Sequence, residues 1–335
     1  MMMKKNIKDI PFSVLDLVPS IEGKDHKTSM NYSLELAQHI EKLGYHRIWI
    51  SEHHNTESLL SSATPIIMGY IAQGTKSIRV GSGGIMLPNH VPLVVAEQVG
   101  TLATLYPNRI DLGLGRAPGT DQITAKALRR DKIETVNDFP REVQELQYYL
   151  GERLEDARVR AIPGQGTHVP MYILGSSTFS AQLAGALGLP YVFASHFAPA
   201  YLFEALALYR ERFKISKQLQ KPYTMAGVNV VVADTDEEAE YLATSGYMFK
   251  LNIIRNHRVP LAPPVKSMEN RWNVMEEAQV KNMAKYSFIG SKETVRKGLE
   301  KFVEDTGIDE LIISTYVHDQ EKKLHSYKLL SELKE

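Results

Sequence analysis

At 335 residues the chain is long enough for one large core of barrel size or for two smaller domains. Its 43% hydrophobic and 23% charged residues are ordinary for a soluble globular protein. Lys plus Arg equal Asp plus Glu at 39 each, so no basic excess exists to track nucleic acid or an anionic membrane. Cysteine is absent, which excludes a disulfide framework, a thiolate metal site and a cysteine nucleophile.

In chain order, eight short β-rich runs read as strands: Phe12–Val18, Arg47–Ser51, Ile78–Gly81, Arg109–Gly113, Met171–Leu174, Tyr191–Ser195, Ala226–Val232 and Glu310–Thr315. Several are apolar nearly throughout, as expected of parallel strands buried on both faces. Helical patterns fill the intervals. Leu36, Ile40 and Leu43 recur at helical spacing before Gly44, a C-terminal stop. Thr64–Pro65 reads as an N-cap followed by proline in the first turn. Val95, Val99 and Leu102 repeat the pattern, as do Leu183 and Leu187 before Gly188. Ser291 is placed to cap a helix carrying Val295, Leu299 and Phe302 and stopped at Gly307, and a last amphipathic stretch carries Leu324, Leu329 and Leu333.

Strand–helix repeated eight times predicts a (β/α)8 TIM barrel, a single domain over residues 1–335. An open doubly wound sheet is the rival, but Val18–Pro19–Ser20 stands where its glycine fingerprint belongs. Two connections are long. Ala117–Pro170, after strand four, includes a helix near Pro140–Leu150. Lys250–Tyr286, after strand seven, is broken by Pro260, Pro263 and Pro264 and reads as a lid or as a disordered surface insertion. The polar start Met1–Asp9 lacks the apolar stretch of a secretory signal, and no apolar run approaches a membrane span; a cytoplasmic protein is expected.

Barrel chemistry sits where strands end and helices begin. Strand two runs into Glu52–His53–His54, a proton-shuttling pattern if a carboxylate tunes a histidine, or two surface histidines at a loop start. No further His or Asp at ligand spacing follows, so no metal site is expected. Gly83–Gly84 after strand three permits close approach of a planar ligand or an unusual peptide geometry, or is a turn before Pro88. Arg116 after strand four and Ser176, Ser177 and Ser180 after strand five suit a phosphate; a serine N-cap and a surface arginine explain the same residues without a ligand, but their place on neighbouring strands favours the phosphate. His196, after strand six, faces a substrate or is a satisfied half-buried residue.

Together these segments resemble the bacterial luciferase-like flavin-dependent monooxygenases over roughly residues 12 to 316. The similar motifs are Trp49–His54; Val80–Pro88 with Pro92 and Ala96–Glu97; Arg109–Arg116; Leu174–Ser177 through Gly188–Pro190; and Gly290–Val295 with Thr306–Glu310. The resemblance implies reduced FMN as cosubstrate, with a cis peptide at Gly83–Gly84 against the isoalloxazine. Arg116, Ser176, Ser177 and Ser180 would then lie on the phosphate, with His53 as catalytic base and Glu52 beside it. It further implies a separate NAD(P)H-dependent flavin reductase. O2 would react to a flavin hydroperoxide that oxidises a small organic substrate, with water excluded by the Pro-rich loop. Gly115 departs from the reactive cysteine of true luciferases, which points to a luciferase-like oxidoreductase rather than bioluminescence. A deazaflavin-dependent dehydrogenase on the same barrel and a non-catalytic flavin-binding protein are the alternatives. A homodimer is also implied, packed through Ile66, Ile67, Tyr70, Val94, Val95 and Val99, although a core face explains the same residues.

Overall fold

Strand alternation decides what faces the centre of this molecule. In the run Arg47–Ile50, Ile48 and Ile50 are buried in the main core, while Arg47 and Trp49 turn to the opposite face. Trp49 there meets Leu15, Tyr172, Val192, Met225 and Ile312, each from a different strand, and these residues plug the middle of the barrel.

The computed structural model describes residues 5–129, 138–153 and 155–334. Parts of the polar start and of the Ala117–Pro170 connection lie outside these residues. The strands are β1 (Phe12–Asp16), β2 (Arg47–Ile50), β3 (Arg79–Met86), β4 (Ile110–Gly115), β5 (Met171–Gly175), β6 (Tyr191–Phe193), β7 (Thr224–Val232), β8 (Ser287–Gly290) and β9 (Glu310–Ser314). The first seven pair in sequence order, all parallel, and β9 joins β7 to β1 to close an eight-stranded ring. The expected (β/α)8 TIM barrel is therefore what the chain forms.

The helices are α1 (His26–Lys42), α2 (Thr64–Gly74), α3 (Pro92–Leu105), α4 (Gln122–Leu128), α5 (Phe139–Leu150), α6 (Thr178–Leu187), α7 (Leu202–Arg212), α8 (Asp236–Ile254), α9 (Val274–Met283), α10 (Lys292–Thr306) and α11 (Gln320–Ser331). Gly188 and Gly307 stop α6 and α10 in left-handed conformations, as their positions predicted. Thr64 is not the N-cap of α2. Ala63 holds that place, and the Thr64 hydroxyl instead donates to the carbonyls of Ser51 and Ser61, tying the helix to the end of β2. Among the described residues no helix is long and apolar enough to cross a membrane.

The second long connection is more ordered than its prolines suggested. Helix α8 continues through Lys250 to Ile254, and α9 starts on a reciprocal capping box between Asn273 and Glu276. Strand β8 pairs with the far end of β7; Asn229 faces Ser314 on one edge and Ser287 on the other. Helix α9 escaped the periodicity reading because only Val280 of it is buried. Between α8 and α9, Leu261 exchanges backbone hydrogen bonds with Ser20 and Glu22, and Arg258 donates to the Asn55 carbonyl. This arm is fastened to the loops after β1 and β2.

Below the Trp49 layer the barrel holds a buried ionic layer. Arg47 donates to Asp111 at 2.8 Å, to Glu310 at 3.1 Å and to the Tyr172 hydroxyl at 2.6 Å. Arg79 and the Trp49 indole also donate to Asp111, and the Ser13 and Tyr223 hydroxyls donate to Glu310. Burial works against the Arg47 charge, but Glu310 and Asp111 outweigh it and raise its pKa further. Gly81 leaves room for this packing: a Cβ there would sit 2.6 Å from the Trp49 indole nitrogen.

Candidate active site

Above the Trp49 layer, at the C-terminal ends of the strands, a cavity of about 530 Å³ opens. His53, Gly83, Gly84, Arg116, Ser176, Ser177, Ser180 and His196 all line it, drawn together from the ends of β2 to β6. Asn252, Asn256 and Arg258 line it from the fastened arm, and Phe249 and Tyr316 close another side. The arm expected as a lid is thus part of the cavity wall.

The alternation Arg47, Trp49, Ser51 carries on beyond β2 and aims His53 into this space. Its Nδ1 lies 3.2 Å from the Ser51 hydroxyl. When Nδ1 holds the proton and donates it to Ser51, Nε2 is free to accept one in the cavity. Burial is the largest influence on His53; it outweighs the nearby Glu52 charge and pulls the pKa from 6.5 down to about 4.

The same alternation turns Glu52 away. Its carboxylate accepts from His54 and His90, each at 2.8 Å, from the Met86 N–H at 3.1 Å and from Asn89 at 3.4 Å. Glu52, expected beside the catalytic base, therefore engages His54 and His90 and not the His53 ring. Burial alone would raise its pKa, but the hydrogen bonds from His54 and His90 prevail and hold it at about 2. The ligand atoms of Glu52, His54 and His90 lie within 4.8 Å of one another, a juxtaposition that sequence spacing around the strand-two motif did not reveal. The protein's own donors already satisfy the carboxylate, so the cluster supports the loop after β2 rather than presenting open ligands.

Arg116 leaves β4 and lays its guanidinium over the Phe179 ring, 4.2 Å from the centroid. Phe179 belongs to the first turn of α6, so this contact holds the cation beside a helix N-terminus. No side chain caps α6. Among the described residues Arg116 has no carboxylate partner, and the Ser176 and Ser177 hydroxyls have no hydrogen bond. A guanidinium, two free hydroxyls and open helix N–H groups are the donor set of a phosphate site. Ser180 differs: its buried hydroxyl donates to the Ser177 carbonyl at 3.0 Å and packs against Gly175, so it shapes the turn rather than offering its proton to a ligand.

The Gly83–Gly84 peptide is cis. A Cβ on Gly83 would meet Leu15 at 2.6 Å, and one on Gly84 would meet the Gly113 carbonyl oxygen at 2.8 Å. The pair is required for the strand to lie against β4 and the Trp49 layer, and both glycines line the cavity wall. At Gly115, where luciferases carry cysteine, a Cβ would meet the Met86 sulfur at 2.6 Å, so a thioether occupies that space.

His196 is buried against Gly227 and Phe197, among the described residues its Nδ1 has no partner, and burial pulls its pKa to about 3. The reading of a satisfied histidine is overturned at that atom. Sequence reasoning missed His90, Phe179, Arg258 and Tyr316; Tyr316 lies just past the end of β9, where strand-end position was the available signal, whereas nothing local marked the partners of His90, Phe179 and Arg258.

A family model described as luciferase-like monooxygenase matches residues 10–310. A luciferase-like monooxygenase of Escherichia coli (strain K12) is 47% identical over 328 residues, 98% of either chain. The N-acetyl-S-alkylcysteine monooxygenase of Bacillus subtilis (strain 168) is 31% identical across 96% of this chain and 98% of its own. Among solved structures, apo-MsnO8 superposes with a TM-score of 0.87 at 33% identity over 97% and 98% of the two chains. Two more distant structures share the fold. One is the oxygenating constituent of 3,6-diketocamphane monooxygenase from Pseudomonas putida in complex with FMN (TM-score 0.73, 19% identity, 97% of each chain). The other is an F420-dependent secondary alcohol dehydrogenase (TM-score 0.68, 16% identity, 96% and 97%).

Proposed function

Because this chain belongs to the luciferase-like monooxygenase family, we propose that it is an FMN-dependent monooxygenase that takes reduced FMN from a separate NAD(P)H-dependent reductase and oxidises a small organic substrate with O2. One observation carries the reading. A single cavity has the unpaired Arg116 guanidinium and the uncapped α6 terminus at one side and the neutral His53 imidazole at another. That separation suits a cofactor anchored by a phosphate with its ring near a base.

Arg116, Ser176, Ser177 and the first N–H groups of α6 would hold the phosphate, and the bare Gly83–Gly84 peptide would support the ring. Reduced flavin supplies the electrons with which O2 is split between substrate and water. His53 accepts a proton at Nε2 while Ser51 fixes the ring through Nδ1. The network around Glu52 keeps the loop after β2 in place, and the arm from Asn252 to Arg258 screens the cavity from bulk water. Of the residues expected at a dimer contact, Ile67, Val95 and Val99 are core, whereas Ile66, Tyr70 and Val94 are exposed on α2 and α3 and available for a homodimer.

Arg116→Ala is expected to weaken reduced FMN binding by about ten- to a hundredfold, the loss of a charge-assisted phosphate contact, and to leave reduced riboflavin binding unchanged. Equilibrium titration under anaerobic conditions reads both. The activity itself is tested with chemically reduced FMN and isotopically labelled O2 over a panel of thioethers, ketones and aldehydes. Label in one product would support the proposal; complete absence of label across the panel, with hydride transfer from F420 instead, would replace it with a deazaflavin-dependent dehydrogenase.

A further inference from the structure

Lys250, on α8, is 5% exposed. Among the described residues its ammonium has neither a carboxylate nor a hydrogen-bond acceptor; the contact it does make is with the face of Tyr316, 4.7 Å from the ring centroid. Gly246, one helical turn earlier, brings α8 close: a Cβ there would meet the Tyr316 Cβ at 3.1 Å. Tyr316 and His196 line the cavity, and His196 lies within the field of both Lys250 and His53. Among the described residues two more buried polar atoms here lack partners, Nδ1 of His196 and Oδ1 of Asn229, whose amide donates to the His196 carbonyl at 2.6 Å.

An isolated buried ammonium is costly unless it is neutralised or paired. Burial lowers the Lys250 pKa to about 8, which still leaves it mostly charged at pH 7. The Tyr316 ring offsets part of the cost. No anion among the described residues does the rest. The corner belongs to β6, β7 and the turn after β9, whereas Arg116, Ser176 and Ser177 stand after β4 and β5. A phosphate held by the latter leaves this corner free.

We infer that His196 and Tyr316, with the Lys250 charge directly behind them, form a carboxylate subsite of the cavity, and that the substrate oxidised here is a small apolar molecule bearing one carboxylate group. The inference deepens the monooxygenase reading and rests on it for the word substrate; the anion site itself does not. The lysine supplies the charge from behind Tyr316, Nδ1 of His196 donates to the carboxylate when it carries the ring proton, and the apolar remainder of the ligand extends toward His53.

Calorimetric titration of the FMN-loaded protein with hexanoate and benzoate, and with hexanamide and benzamide as neutral counterparts, tests it. Wild type is expected to prefer each acid over its amide by about tenfold or more, the worth of a charge-assisted contact. Lys250→Met should erase that preference and keep FMN affinity. It should also raise the melting temperature, because an uncompensated buried charge gives way to an apolar side chain of similar length. Lys250→Gln, neutral and polar, is the second variant should the first not fold. Equal affinity for acid and amide in wild type, or a preference surviving both substitutions, would overturn the subsite. Loss of FMN affinity on neutralising Lys250 would overturn it as well, assigning the cation to the flavin. A protein that binds the acids as expected yet incorporates no oxygen from O2 would sink the monooxygenase reading and leave the subsite standing.

Discussion

His53→Ala is expected to lower kcat by about a hundred- to ten-thousandfold, the usual worth of a positioned base, and to leave the affinity for reduced FMN within about threefold of wild type. The ring lines the cavity, Ser51 engages one nitrogen, and burial keeps it neutral. In the free protein the His53 titration followed by NMR should centre near 4 rather than 6.5. The sign follows from the depressed value. The unfolded chain takes up the proton first, so the contribution of His53 to stability is complete above pH 6.5 and is lost as pH falls toward 4. Glu52→Gln is expected to reduce kcat by less than about tenfold, because its carboxylate bonds His54 and His90 and not the base. Equal losses from the two substitutions would mean that the pair acts as one unit.

The second large effect is on stability. Arg47→Ala removes the central cation of the buried layer and leaves Asp111 and Glu310 facing each other with only Arg79, itself at the edge of the layer, to balance them. A cost of about 3–5 kcal/mol is expected, read as a lower urea midpoint. Arg47→Lys should recover little, since a single ammonium cannot serve Asp111, Glu310 and the Tyr172 hydroxyl together. A loss below about 1 kcal/mol for Arg47→Ala would contradict the assignment of Arg47 as the central cation of this layer.

The barrel was legible because its strands are buried on both faces and read as apolar runs, and because Gly188 and Gly307 mark helix ends chemically. Strand-end position likewise picked out His53, Gly83–Gly84, Arg116 and Ser176–Ser177. The direction of Glu52 was legible in principle: Arg47, Trp49, Ser51 and His53 alternate with it, and neighbours along an extended chain point apart. Helix α9 and strand β8 were hidden, one by its nearly solvent-exposed surface and the other because three of its four residues are only half-buried, so no apolar run marks it. Phe179 under Arg116, His90 on Glu52 and Lys250 behind Tyr316 are products of tertiary packing. Each lies on a helix or loop whose local pattern says nothing about a partner tens of residues away.

The central claim is that this cavity takes a phosphate-bearing flavin in its reduced form. Anaerobic titration of the purified chain with reduced FMN, reduced riboflavin and reduced F420 tests it most directly. Binding of FMN at least about tenfold tighter than riboflavin, with F420 unable to displace it, is the predicted result. Indifference to the phosphate, or tighter binding of F420, would contradict it.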